Sequence, residues 1–291
     1  IIIFFVSIDV FLESYTGRNM LGYGELYGRR VVSFFKDEPI VGGYINAFYL
    51  ILIGFLYNKF TTQHKNKILL LSIFFLFAIF LTGERSNAIK AFLGIIFFYA
   101  FFKEYKLKYK ITYIVIGLIF LISIILNSQY FKLRYVNQIK SLLTEDNIYF
   151  KLQNSGYQVF KNNIFFGTGN KNYRVETCTE LDETNINTNK YTCNTHPHQI
   201  YIELLSEHGL FGSIFILFIF YKLIFSKFIS NFNRINYIQI GSLIYISLIF
   251  LPLLPNGAFF NDYAITLFGF NIAIFYAASP EMNIFSINKQ K

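Results

Sequence analysis

The chain has 291 residues, of which 54% are hydrophobic and only 15% are charged. Soluble domains carry about 25% charged residues, so this chain lacks the polar side chains that a soluble surface needs. The composition excludes an ordinary soluble protein and predicts an all-α, polytopic membrane protein. The net charge of +9 does not indicate a nucleic-acid partner, because the lysines fall largely in short loops between apolar runs.

Several apolar runs approach the length of a membrane-spanning helix, roughly 17–25 residues. They cover residues 40–58, 67–82, 87–102, 111–127, 209–226, 236–254 and 262–279. Residues 1–12 form a further, partial run without a Met or a basic start, which we expect to be the end of a truncated helix in a longer protein. No internal repeat is visible, and residues 1–291 are predicted to form a single polytopic membrane domain.

The lysine and arginine residues predict how these helices are oriented in a membrane. They concentrate in the loops 58–67, 103–110 and 222–235 and in the C-terminal tail, which strict alternation puts on one side, the cytoplasmic side. The external side then receives residues 13–39, 83–86, 128–208 and 255–261. The segment 128–208 is predicted to be a functional loop subdomain with short helices, one of them over residues 146–162, since long structureless loops are uncommon.

Both cysteines of the chain, Cys178 and Cys193, lie in this external segment. An oxidising compartment permits a disulfide, which would contribute about 3 kcal/mol for a loop of this size through chain entropy. The alternative is a zinc site formed by both cysteines with His196 and His198. The sequence lacks the closely spaced cysteine and histidine pairs that such sites use, and it therefore favours the disulfide.

The segment Thr195–Gly212 contains three of the four histidines. A helix is predicted to start near Pro197, a residue favoured at the first helical position, which places His198 in the first helical turn. The electropositive helix N-terminus disfavours the imidazolium form and would keep His198 available as a base. The alternative is that these histidines are ordinary polar residues at a membrane interface.

The segment Leu81–Ala88 places Arg85 in a tight external turn between two membrane helices. An arginine offers a planar fork for phosphate oxygens, and the start of the next helix adds free backbone N–H groups. Arg85 is therefore a candidate for an anion site. The alternative is that Arg85 pairs with Glu84 or extends toward lipid headgroups.

A Gly-x-Gly turn lies in residues 167–174, without the strand and helix that a dinucleotide-binding fingerprint requires. We expect a sharp turn that brings Lys171 and Arg174 toward the membrane surface. The alternative is a structural loop with solvated charges.

Residues 28–43 carry Arg29, Arg30 and Glu38 at the entry to a membrane helix. An interfacial ion-pair cluster is the first interpretation. A lipid-headgroup or pyrophosphate site is the alternative.

Taken in order, these four motifs resemble the O-antigen ligase and polymerase superfamily of bacterial membrane glycosyltransferases. That family has an Arg-aromatic-Gly-acid segment before a membrane helix, a short Ser-Arg-like turn and a long periplasmic loop. The loop contains a Gly-x-Gly turn and ends in an H-x-x-x-L/I-x-x-L-x-E-x-G helix, which here runs from His198 through Leu205 and Glu207 to Gly209. The resemblance covers nearly the whole chain and implies a GT-C-like helical bundle in the bacterial inner membrane, with an active site that faces the periplasm.

The same resemblance implies an inverting, metal-independent glycosyl transfer without a cofactor. The substrate would be an undecaprenyl-pyrophosphate-linked glycan, and the acceptor would be a lipid A-core sugar or another glycan. His198 would be the base for the acceptor hydroxyl, and Arg85 would clamp the pyrophosphate. The family places a second basic residue on the helix before the Gly-x-Gly turn, where Lys151 is the nearest candidate and Arg134 and Arg174 lie on either side. The expected substrate-binding residues are Arg174, Lys171, Lys151, Arg134, Arg30, Glu38 and Glu207.

Three alternatives remain open at the level of sequence. A ligase and a polymerase share this chemistry and differ in their acceptor, and the motifs do not separate them. A transporter or flippase for the same lipid would show repeats and buried charges along a pathway, whereas only Lys90 and Asp262 approach helix interiors here. A non-catalytic assembly factor would tolerate the loss of His198.

Overall fold

The computed structural model describes residues 1–24, 30–36, 38–60, 64–101, 107–137, 147–178, 191–230, 234–252 and 254–279. Within these ranges every regular element is helical, which confirms the all-α prediction. The chain divides into two compact units. Unit 1 contains residues 1–138, 233–248 and 270–291, and unit 2 contains residues 139–232 and 249–269.

The helices follow the apolar runs of the sequence closely. In chain order they are α1 (Ile2–Thr16), α2 (Val41–Lys59), α3 (Lys65–Leu81), α4 (Arg85–Phe101), α5 (Leu107–Asn127), α6 (Gln129–Lys132), α7 (Ile148–Asn162), α8 (Tyr173–Cys178), α9 (Ile200–Phe220), α10 (Ser226–Ser230), α11 (Tyr237–Ile249) and α12 (Asp262–Ala277). A π-helical turn, Leu133–Asn137, continues α6, and a second one, Tyr221–Phe225, continues α9.

Some of these helices are long and apolar enough to cross a membrane. Within the described residues, Val41–Lys59 and Ile200–Phe225 each meet that criterion alone. A third span is formed if Val115–Asn127 and Gln129–Asn137, which meet at 104°, act together. Asn66–Leu81, Tyr237–Ile249 and Asp262–Ala277 are apolar but shorter. The helices therefore agree with the class of membrane protein that the composition predicts.

In unit 1, helices α1 to α4 pack against one another. Tyr49, fully buried on α2, donates a hydrogen bond of 2.7 Å to the carbonyl of Ala91 on α4. A buried hydroxyl needs such a partner, because leaving it without one costs about 1–3 kcal/mol. The bond fixes the relative rotation of α2 and α4, and with it the start of α4.

Two buried carboxylates on α1 hold the segment that leads into α2. Asp9 accepts a hydrogen bond of 2.6 Å from the hydroxyl of Ser33, and Glu13 accepts bonds from the backbone N–H groups of Val32 (3.0 Å) and Ser33 (2.6 Å). Buried carboxylates are costly unless they are satisfied in this way. These bonds fix the backbone immediately after Arg30.

In unit 2, α7 packs on α9, and α9 is broken at Gly209, whose φ of 63° and ψ of −170° are not helical. The break exposes backbone groups that an unbroken helix would use internally. The loop after α7 uses them instead: Leu210 donates to the carbonyl of Ile164 at 2.7 Å, and Gly169 donates to the carbonyl of Glu207 at 2.8 Å. The Gly-x-Gly turn is thereby bonded to the middle of α9.

Candidate active site

The turn between α3 and α4 gathers charged side chains from distant parts of unit 1. The backbone N–H of Val31 donates to the carbonyl of Thr82 at 3.2 Å, which holds the neighbouring Arg30 beside this turn. From the π-helical turn after α6, Arg134 donates from its Nη2 atom to the carbonyl of Gly83 at 2.9 Å. The sequence does not reveal these connections, because they join segments about 50 residues apart.

Arg85 is the first residue of α4, directly after this turn. The guanidinium of Arg134 lies within electrostatic range of those of Arg85 and Arg30, so the three form one arginine cluster (Arg30, Arg85 and Arg134). Arg85 is partly buried, and its Nη1 atom is buried without a hydrogen-bond partner in the described part of the chain. Such a donor is one that an anion would satisfy.

Glu84 is the acid nearest to this cluster in sequence, and it is buried. Its carboxyl accepts hydrogen bonds of 2.6 Å from the backbone N–H of Gly42 and from the amide of Asn87. Burial raises the pKa of Glu84 to about 7, although those two bonds and the charge of Arg30 oppose the shift. Near neutral pH, Glu84 therefore offsets at most part of the positive charge of the three arginines.

His198 lies outside the helix that was predicted to contain it. Helix α9 begins at Ile200, and Gln199 caps it by accepting a hydrogen bond of 2.8 Å from the N–H of Ile202. His198 itself has a φ of 56°, which a right-handed helix does not allow. The prediction of a helix start at Pro197, with His198 in the first turn, was therefore wrong, and His198 does not lie in the first turn of α9, where the helix dipole was expected to keep it neutral.

The side chain of His198 contacts a second histidine instead. Its Nδ1 atom lies 3.1 Å from the Nε2 atom of His196 and 3.2 Å from the carbonyl oxygen of Asn256. The ring of Tyr149, on α7, packs edge-on against His198 with the centroids 5.5 Å apart. We call His196 and His198 the histidine pair.

A carbonyl oxygen only accepts hydrogen bonds, so neutral His198 donates to Asn256 only in the tautomer that carries its proton on Nδ1. This tautomer carries its lone pair on Nε2, the atom that can take a proton from a hydroxyl. In this tautomer His198 has the form that a general base requires.

The segment from Ile249 to Asn261 is fastened to the start of α9 at several points. The backbone N–H of Asn256 donates to the carbonyl of His198 at 3.0 Å, and the hydroxyl of Tyr201 donates to the carbonyl of Phe250 at 2.8 Å. The buried carboxylate of Glu203 accepts from the N–H of Phe259 at 2.9 and 3.0 Å. Glu203 and Asn256 were not among the predicted site residues; Asn256 contacts His198 directly, and Glu203 holds the same segment at Phe259.

Other predicted residues of unit 2 lie around the Gly-x-Gly turn. Lys171 adopts a φ of 62°, and its Nζ atom lies 3.3 Å from the carboxylate of Asp262. The side chain of Glu207 is directed inward, is only 3% exposed and lies against the backbone N–H groups of Lys171 and Tyr173. This position favours a role for Glu207 in holding the turn rather than in touching a substrate.

The remaining predicted binding residues are placed at the surface of their units. Lys151 on α7 and Arg174 on α8 are exposed in unit 2, and Glu38 is exposed in unit 1 beside the short 3-10 turn Ser33–Phe35. Arg29, the third residue of the predicted interfacial ion-pair cluster with Arg30 and Glu38, lies outside the described residues. Arg30 acts electrostatically on Glu84.

Cys178, at the end of α8, and Cys193 form a disulfide. The bond fastens the chain one residue before Asn194, where the segment of the histidine pair begins. The histidine pair therefore lies in a segment that a covalent bond holds at one end and α9 at the other.

No group of three or more His, Cys, Asp or Glu side chains in the described ranges is arranged to hold a metal ion.

The apolar helices and the buried polar turns define an all-helical membrane protein. A family model described as O-Antigen ligase matches residues 70–219 of the chain. The chain belongs to this family, which supports a role in polysaccharide assembly of the O-antigen ligase or polymerase type. The matched range includes Arg85, Arg134 and the histidine pair. Neither the comparison with curated proteins nor that with solved structures gives a match.

Proposed function

We propose that the protein is a ligase that transfers a glycan from undecaprenyl pyrophosphate to a sugar hydroxyl of lipid A-core. The observation that carries this proposal is the arginine cluster, in which the guanidinium of Arg134 lies within electrostatic range of those of Arg30 and Arg85 and Arg85 has a buried donor atom. Like charges held together in this way repel one another, and the negative charge of a pyrophosphate group, which increases as that group leaves, would relieve the repulsion.

The transfer is a single displacement. The oxygen of the acceptor hydroxyl attacks the anomeric carbon of the lipid-linked sugar, and its proton passes to Nε2 of His198. The bond between the anomeric carbon and the pyrophosphate oxygen breaks, and undecaprenyl pyrophosphate leaves with the electron pair. Attack from the face opposite the leaving group inverts the configuration at that carbon.

Each part of the chain then has a distinct task. Arg85 and Arg134 bind the pyrophosphate oxygens, and their contacts strengthen as negative charge develops on the leaving group. Arg30 adds to the positive field. The guanidinium groups supply the charge stabilisation that a divalent cation supplies in other transferases, so the proposed reaction is metal-independent.

The proposed location is the bacterial inner membrane, with both the arginine cluster and the histidine pair toward the periplasm. The lysine-rich loops support this orientation, because positive loops remain in the cytoplasm. The disulfide supports it as well, since disulfides persist in the periplasm and are rare in the cytosol.

Complementation of a strain that lacks its own copy of this protein tests the proposal. We expect Arg85→Lys and His198→Gln to abolish transfer while the proteins remain in the membrane. Lys132→Gln and His64→Gln are the matched controls, because both side chains are exposed. Full activity of His198→Gln would contradict the role of the base and favour a non-catalytic assembly factor.

The glycans that the deletion strain accumulates identify the reaction. Long chains that remain on the carrier lipid and are absent from lipid A-core indicate a ligase, which is the expected result. Single repeat units attached to lipid A-core would indicate a polymerase instead. Carrier-linked glycan that is retained on the cytoplasmic face would indicate a flippase.

A further inference from the structure

The histidine pair is the centre of a longer chain of hydrogen bonds. The Nδ1 atom of His196 lies 2.9 Å from the hydroxyl oxygen of Thr195, and that oxygen lies 3.2 Å from Oδ1 of Asn194. Together with the 3.1 Å contact between His196 and His198, this gives a continuous path of four side chains. The path runs from Asn194 to the proposed base.

One order of donors and acceptors along this path satisfies every contact. In this order Nδ1 of His198 carries a proton that it shares between the carbonyl of Asn256 and Nε2 of His196, and Nε2 of His196 presents its lone pair to that proton. Neutral His196 then carries its own proton on Nδ1 and donates it to Thr195. The hydroxyl of Thr195 in turn donates to Oδ1 of Asn194.

We propose that His196 is a positioning residue for His198: its Nε2 atom accepts the Nδ1 proton of His198 and thereby directs the lone pair of Nε2 of His198 to the acceptor hydroxyl. This proposal rests on the function proposed above. When His198 takes the proton of the hydroxyl, it becomes an imidazolium whose Nδ1–H is a stronger donor. His196 stabilises that ion by accepting its hydrogen bond.

For this purpose His196 must remain neutral. The pKa of His196 is lowered to about 4, chiefly by burial. The nearby His198 lowers the pKa as well, and the carbonyl of Asn256 raises it by a smaller amount. A second positive charge on His196 would prevent His198 from taking a proton. From α7 the titratable side chain of Tyr149 faces the pair, and from the segment after α11 the contact is the neutral carbonyl of Asn256.

The test uses membrane vesicles from the deletion strain, which hold the accumulated carrier-linked glycan and its acceptor. His196→Leu removes the acceptor at similar volume, whereas the Oε1 atom of His196→Gln can occupy the place of Nε2. We expect the Leu variant to lose about 10-fold or more in initial rate, and the Gln variant to recover most of it. The midpoint of the acid limb of the pH–rate profile should move to lower pH in the Leu variant and return in the Gln variant.

Thr195→Val and Thr195→Ser form a second pair, at an exposed residue, in case His196→Leu does not reach the membrane. Val should lower the rate in the same direction, and Ser should not. Equal rates and pH profiles in the Leu and Gln variants of His196, or in the Val and Ser variants of Thr195, would overturn the positioning role. If His198→Gln is inactive in the same assay, the role of His198 as the base still stands. An active His198→Gln variant overturns the base and the positioning role together.

Discussion

Arg134 donates a hydrogen bond of 2.9 Å to the backbone carbonyl of Gly83, two residues before Arg85. This bond holds Arg134 against the turn that precedes Arg85, the first residue of α4. The bond uses the Nη2 nitrogen of the guanidinium. Arg134 therefore has a double role, because it shapes the turn and adds positive charge to it.

The first prediction concerns this double role. Arg134→Lys keeps the charge but loses the planar fork, and we expect a rate roughly 100-fold lower, as for the removal of one donor aimed at developing charge. Lys132→Gln is the matched control, because it removes an exposed positive charge at the end of α6, just before the π-helical turn that contains Arg134. Transfer of glycan to lipid A-core, measured in vesicles, provides the rate. An unchanged rate in Arg134→Lys would remove Arg134 from the leaving-group site.

The second prediction concerns the crossing of the Gly-x-Gly loop with α9. A Cβ atom at Gly209 would lie 2.4 Å from the backbone of Phe165, and one at Gly167 would lie 2.4 Å from the backbone of Glu207. Both glycines also have a positive φ. We expect Gly167→Ala and Gly209→Ala each to lower the free energy of unfolding by more than about 2 kcal/mol, since backbone atoms must move apart.

Gly269→Ala is the control for this pair, because it lies in α12 with nothing within 4 Å of the added methyl group. It should be neutral or slightly stabilising, since alanine favours a helix. Thermal unfolding of the detergent-solubilised variants measures all three. Equal midpoints for Gly209→Ala and Gly269→Ala would show that the loop and the helix do not cross so closely.

The sequence predicts the helices well, because a span is a local property of length and apolar composition. The run 40–58 became α2 (Val41–Lys59), and the helix over 146–162 became α7 (Ile148–Asn162). The predicted start of α9 at Pro197 was wrong, because Gln199 caps the helix two residues later. Proline is favoured at a helix start, but it does not exclude a turn before the cap.

The arginine cluster illustrates what local patterns do not contain. The resemblance placed the second clamp on the helix before the Gly-x-Gly turn, with Lys151 as the nearest candidate and Arg134 and Arg174 on either side. The structure brings Arg134 to the turn of Arg85. That contact depends on how α6 packs, which follows from hydrophobic contacts between segments distant in sequence. Phe131 of α6 is buried against Phe80 of α3, next to the turn. Neither the spacing nor the charge of the arginines indicates this.

The third prediction concerns the disulfide between Cys178 and Cys193, which closes a separation of 15 residues. Its removal in a Cys178→Ser/Cys193→Ser variant should cost about 3 kcal/mol by the loop-closure argument. The transfer rate should fall as well, because Cys193 fastens the chain just before Asn194. Thermal unfolding with and without reductant measures the loss. A reductant effect that persists in the double variant would have another origin.

The fourth prediction concerns the buried carboxyl of Glu84. Its pKa is about 7 in the folded protein, because burial disfavours the charged form, whereas an exposed glutamate has a pKa near 4.5. The folded state therefore holds a proton that the unfolded state loses between these values. The contribution of Glu84 to stability is present below about pH 4.5 and is lost as the pH rises to about 7. Glu84→Gln should remove this decline, which unfolding midpoints at pH 5 and pH 7.5 would reveal.

His196 should produce a dependence of the opposite sign. Burial lowers its pKa to about 4, below the ordinary value of 6.5, so the unfolded state binds a proton more readily between these values. The contribution of His196 is therefore present above pH 6.5 and is lost as the pH falls toward 4. His196→Leu should lose less stability than the unsubstituted protein between pH 7 and pH 5. The measurement is clearest in a Glu84→Gln background. Glu84 and His196 titrate in overlapping pH ranges and change the stability in opposite directions, so Glu84 would otherwise mask the effect of His196. If the Leu substitution leaves the slope unchanged in that background, His196 is not the buried neutral group on which the positioning of His198 depends.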